Sequence, residues 1–133
     1  MMIRQEVLRG VGECLAAILE SDASSIREQD RIIYDLKLDS LDLLDVIFQL
    51  EQKFKIKISP RSIERRAKEQ LGDKPFEVGG VYTADGLAEL RKAMPEVPEE
   101  EWVEGLRTAD LPKRFRVGTF VNLVMRMMEE QHG

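Results

Sequence analysis

Between Ser40 and Phe54 the apolar residues recur at helical spacing, and they do so on two different sides. At 3.6 residues per turn, Leu43, Val46, Ile47, Leu50 and Phe54 fall within about 50–60° of one direction, the stripe a helix buries against its neighbours. A second apolar group, Leu41, Leu44 and Phe48, lies away from that stripe and is flanked by Asp45 and Glu51. One stripe is enough to join a small bundle. The second must meet further protein of the same chain or stay available to a partner.

Periodicity places more helices on either side. Ile3, Val7, Val11, Cys14, Leu15 and Ile18 share a face over residues 2–20, although Gly10 and Gly12 weaken that helix for no reason the sequence shows. Cys14 sits inside the stripe and reads as core. Val117, Phe120, Val121, Val124, Met127 and Met128 make an apolar face on a helix of about residues 117–131. Residues 21–39 are a polar loop, long unless it is held down by Ile32-Ile33 and Leu36. Phe54 to Ile58 alternates in polarity and stops at Ser59-Pro60. With no second alternating run to pair with, it is expected to be an extended connector.

The stretch from 61 to 112 is less regular. A basic helix from Ile63 to Leu71 should end at Gly72, and residues 73–82 read as loop. Thr83 or Asp85 can cap a helix running to Met94, stopped by Pro95. Pro98 and three glutamates open what reads as a further helix to about Arg107, burying Trp102, Val103 and Leu106. The fold class is therefore all-α: an antiparallel bundle of about four helices, with inserted helices ahead of the last one.

Several function classes fall away on composition. The net charge of −5 argues against a nucleic-acid partner, which usually calls for a basic surface. A single cysteine allows no internal disulfide. The charged start lacks a signal-peptide core, and no apolar run approaches the roughly 20 residues of a membrane span, so a cytoplasmic address is expected. There is no metal-ligand spacing, phosphate-binding glycine loop or nucleophile–base constellation. The only histidine, His132, lies in the tail, so an enzyme is not expected.

The helix at 40–54 is headed by Asp39-Ser40-Leu41-Asp42. Taken alone, an aspartate–serine pair there is an ordinary cap, with Asp42 suited to the positive end of the dipole. A serine in that place also suits a phosphodiester, which would face unsatisfied N–H groups. The run from Asp35 through Ser40 and Asp42, then Leu43 to Phe54 and Ile56-Lys57-Ile58, resembles the prosthetic-group segment of acyl carrier proteins. Arg116 to Val121 is similar to the start of that family's last helix.

By that resemblance Ser40 is the attachment site of 4′-phosphopantetheine, and Asp39 helps present it. Leu41, Asp42, Leu44, Asp45, Phe48 and Glu51 form the face that partner enzymes read. The partners implied are a phosphopantetheinyl transferase and a ketosynthase, acyltransferase or related acyl-processing enzyme, acting on a monomeric carrier. Lys37 stands where the family commonly has a glycine. The texture of residues 41–58 looks most like longer carriers serving very-long-chain acyl transfer to lipid A, so fatty acid or lipid biosynthesis is implied. A polyketide or aminoacyl carrier, or an unmodified helical adaptor, are the alternatives.

Residues 1–58 and 116–133 would form one carrier domain, interrupted by an inserted helical segment at 59–115. The insertion could lengthen an acyl cavity or act as a specificity surface. Lys53, Lys55, Lys57, Arg61, Arg65, Arg66 and Lys68 make a basic run, either a solvated face or a contact with an anionic membrane or acidic partner.

Overall fold

The structure, a computed structural model, describes residues 3–59 and 61–133; Met2 at the head of the first expected helix and Pro60 at the expected stop lie outside it. Its elements divide into two compact units, one of residues 1–58 with 115–133 and one of residues 59–114.

The first unit is built from α1 (Arg4–Leu19), α2 (Ser40–Phe54) and α5 (Val117–His132). Val7, Val11 and Leu15 of α1, Val46 and Leu50 of α2, and Val117, Val121 and Val124 of α5 are fully buried. These are the periodic residues of the sequence, and burial of each contributes about 1.5–3 kcal/mol before entropy is counted. Cys14 is buried with them, and burial pushes its thiol up. Gly10 has a reason to be glycine: a Cβ there would come within 2.5 Å of Cζ of Phe54, so its bare backbone lets that ring pack on α1.

The loop from 20 to 39 is pinned rather than loose. A short 3-10 turn at Ala23–Ser25 is capped by Asp22. Ile32 and Leu38 are buried. The N–H groups of Val117 and Gly118 donate to the carbonyls of Asp30 and Glu28, and Ile32 N–H donates to the Phe115 carbonyl. The loop thereby supplies the acceptors that the first turn of α5 lacks within itself.

The connector after α2 buries Ile56 and Ile58 and exposes Lys55 and Lys57. Its missing strand partner is a side chain. The Gln131 amide accepts from Lys57 N–H at 2.9 Å and donates to the Lys57 carbonyl at 2.9 Å, as a neighbouring strand would. The C-terminal ends of α2 and α5 therefore meet.

The second unit contains α3 (Ser62–Leu71) and α4 (Ala84–Ala93), which pack together. Between them, where the sequence leads one to expect loop, lies a hairpin. β1 (Glu77–Val78) pairs antiparallel with β2 (Val81–Tyr82), opposing Glu77 to Tyr82 and Val78 to Val81. Gly79 and Gly80 both take positive φ, 60° and 82°, as a tight two-residue hairpin turn requires. Thr83 accepts from Gly86 N–H and donates its own hydroxyl to the carbonyls of Pro75 and Phe76, tying α4 to the hairpin.

The helix expected from Pro98 to Arg107 is not formed. Only Glu99–Glu101 makes a 3-10 turn. Beyond it Tyr82 N–H donates to the Leu106 carbonyl and Val81 bridges to Arg107, so this segment runs beside β2 instead. Leu106 is buried as expected, but Val103 is exposed and Trp102 only half-buried. A 3-10 stretch at Thr108–Arg114, containing Pro112, closes the unit.

Candidate functional site

Ser40 is the first residue of α2, and Asp39 is its N-cap. The Asp39 carboxylate accepts from Asp42 N–H at 2.9 Å, and Asp42 returns the contact by accepting from Asp39 N–H at 3.0 Å. This reciprocal capping box satisfies two donors that the helix start would leave open. The Asp42 N–H holds the Asp39 carboxyl below the usual carboxylate range. Because Asp39 does the capping, Ser40 Oγ makes no hydrogen bond to another described residue, and the residue is exposed.

The loop fixes the approach to this helix. Leu38 is buried immediately before the cap, and its N–H donates to the Ile32 carbonyl. Arg31 is clamped by Asp35 through Nε and a terminal nitrogen, at 3.3 and 3.2 Å, and lies over the Tyr34 ring. Between them Lys37 takes φ of 61°, a left-handed conformation that glycine adopts most easily. The lysine therefore holds this conformation at some strain.

The second apolar stripe is open. Leu41, Leu44 and Phe48 are 76%, 56% and 58% exposed, on a helix whose Val46, Leu50 and Phe54 are buried. They form an apolar patch on one side of the helix that no described residue covers. Asp45 is exposed beside them, within 3.4 Å of the Gln49 amide. Two of the expected recognition residues are half-buried and committed within the chain: Asp42, whose carboxylate accepts from Asp39 N–H, and Glu51, one of whose carboxylate oxygens accepts from Ile58 N–H at 2.8 Å and ties down the connector.

Among the described residues no histidine lies near Ser40, and the carboxylates that flank it, Asp39 and Asp42, are engaged in the capping box. His132 sits against the Lys55 carbonyl at the other end of α2, some 15 residues and roughly 22 Å along the helix axis. Among the described residues there is no cluster of three or more metal-ligating side chains and no helix long and apolar enough to cross a membrane.

The arrangement fits a phosphodiester on the serine. The hydroxyl is exposed and uncommitted, and it stands at the positive end of a helix dipole. Residues 9–67 match the family model of the phosphopantetheine attachment site. The chain is 32% identical over 65 residues to an acyl carrier protein of Thermotoga maritima, covering 49% of this chain and 80% of that one. It is 37% identical over 54 residues to one of Campylobacter jejuni subsp. doylei, 41% and 70% of the two chains. A Chlamydia caviae acyl carrier protein is 46% identical over 44 residues, 33% and 57% of the two. No solved structure matches.

The helical fold and the matches together define a carrier protein with a phosphopantetheine attachment domain. The chain belongs to the acyl carrier protein family, whose members are carriers and not enzymes.

Proposed function

We propose that Ser40 bears the 4′-phosphopantetheine and that the chain shuttles thioester-bound acyl groups between cytoplasmic enzymes of fatty acid or lipid biosynthesis. The observation that carries this reading is the division of labour at the head of α2. Asp39 and Asp42 complete the cap, which leaves the exposed Ser40 hydroxyl without a structural task.

Loading is the work of a separate transferase, because the two carboxylates beside Ser40, Asp39 and Asp42, are engaged in the capping box and no histidine stands near them among the described residues. Ser40 Oγ bonds to the pantetheine-side phosphorus of coenzyme A. The pyrophosphate P–O bond breaks, adenosine bisphosphate leaves, and the hydroxyl proton passes to a base of the transferase. Once attached, the group ends in a thiol that holds an acyl chain as a thioester. The chain's own part is recognition. Leu41, Leu44 and Phe48 give a partner an apolar anchor, and Asp42 and Asp45 supply charge that steers a basic surface towards it. Glu51 contributes to this field while holding the connector.

Intact mass before and after incubation with coenzyme A and a broad-specificity phosphopantetheinyl transferase tests the reading. A gain of one phosphopantetheine that Ser40→Ala abolishes is the expected result. No gain on folded protein with two different transferases overturns it and leaves an unmodified adaptor.

A further inference from the structure

The second unit carries a feature that acyl-group carriage does not use. Arg61, Arg65 and Lys68 are spaced four and three residues apart along α3 and its N-cap, so they share one face over about 10 Å. They line a groove of about 300 Å³ that also takes in Phe76, Glu64 and Glu77. None of the three cations is used in an ion pair among the described residues, whereas Arg91, Lys92 and Lys113 of the same unit all are. Of the two carboxylates in the lining, Glu64 is committed to the Tyr82 hydroxyl, which donates to it at 3.0 Å. Tyr82 in turn meets the Phe76 ring edge-on, with centroids 5.3 Å apart.

We propose that this groove binds the phosphate ester of a ligand whose remainder is apolar. Two arginines one helical turn apart can hold one phosphate by bidentate contacts, with Lys68 as a third charge. Phe76 gives the groove an apolar wall. Three cations facing two carboxylates leave a small positive excess, which suits a single phosphate better than a polyanion. Such a phosphate can belong to a free ester or to a lipid headgroup that rises from its bilayer.

The test uses the full chain in two arms. In the first, phenyl phosphate is titrated while amide and side-chain resonances of Arg65, Lys68 and Phe76 are followed. Saturable shifts are expected, with affinity falling at least about tenfold in Arg65→Gln and weakening with salt. In the second, the protein is sedimented with phosphatidylglycerol vesicles and with zwitterionic phosphatidylcholine vesicles. Binding to the former alone, lost in an Arg61→Gln, Arg65→Gln, Lys68→Gln variant, supports the site and places the phosphate on a lipid. Phenyl phosphate binding without vesicle binding supports the site with a soluble ligand. Absence of both, or shifts that the folded triple variant retains, overturns the proposal. Ser40→Ala should leave either response unchanged, which separates this site from the loading of Ser40.

Discussion

Replacing Gly86 with alanine pits two physical effects of opposite sign against each other. Gly86 is the third residue of α4, and helix propensity alone predicts that alanine there stabilises by up to about 1 kcal/mol. The surroundings predict the reverse. A Cβ on Gly86 would overlap the Phe76 carbonyl oxygen well inside van der Waals contact and come within 3.1 Å of the Phe76 ring. That oxygen cannot swing away, since it accepts from Thr83 N–H at 3.0 Å and from the Thr83 hydroxyl at 3.1 Å. Relief must come from shifting backbone, at about 1–3 kcal/mol for overpacking. Moving α4 also loosens its Thr83 cap, worth roughly another 1 kcal/mol. After the propensity gain is subtracted, a net loss of about 1–3 kcal/mol is expected.

Urea unfolding followed by tryptophan fluorescence reads this directly, because Trp102 is the only tryptophan and belongs to the same unit. The midpoint should fall at unchanged slope. An unchanged or higher midpoint would refute the reasoning, since it would mean that the Phe76 carbonyl does not press on α4. Gly10→Ala makes the contrast. Its blocking atoms are the tip of the Phe54 ring and the Lys53 stem, which can give, so a smaller loss is expected.

Other expectations follow from the first unit. Leu50→Ala should cost about 2–5 kcal/mol in urea unfolding. Leu41→Ala or Phe48→Ala should stay within about 0.5 kcal/mol of the parent and instead slow acyl loading by a partner enzyme. Lys37→Gly should raise stability by about 0.5–1 kcal/mol, because it removes the strain of a lysine at φ 61° in exchange for chain entropy; a lower midpoint would contradict that account. Hydrogen bonds from Asp42 N–H to Asp39 and from the Arg31 side chain to Asp35 depress both folded-state carboxyl pKa values. Stability from these groups is therefore fully present above the unfolded value near 4 and is lost as pH falls through the folded ones. Asp39→Asn keeps a capping oxygen without titrating, so its urea midpoint should drop less steeply between about pH 5 and 2.

What the sequence made legible was whatever a period of 3.6 could carry. The bounds of α2 coincide with its two-sided pattern, and of the two cap residues the sequence offers, Thr83 and Asp85, the structure uses Thr83. The features it hid depend on partners distant along the chain. The two strands of the hairpin are two residues each, too short for any alternation to register. The stretch after Pro98 has helix-start chemistry, yet Leu106 and Arg107 are drawn to β2. Gly10 and Gly86 are explained only by what presses on them, Phe54 and Phe76. Glu51 read as a surface acid because its acceptor role depends on Ile58 N–H, seven residues away. Gln131 gave no sign that its amide would act as the connector's missing strand.

The head of α2 shows why a serine in this setting is open to chemistry without being reactive. If Ser40 were itself the N-cap, its hydroxyl would be held against a backbone N–H and modification would cost the helix a cap. The structure moves that task one residue back, to Asp39, and reinforces it from Asp42. Adding a group to Ser40 then breaks none of the hydrogen bonds that define the helix start. The open face of Leu41, Leu44 and Phe48 begins at the next residue, so a protein that docks on it is brought to the serine. The remaining stripe of the same helix, Val46, Leu50 and Phe54, anchors that face to the unit's core. On the proposed function, one fifteen-residue helix would combine attachment point, recognition surface and rigid support, and the catalytic power would reside wholly in the partner.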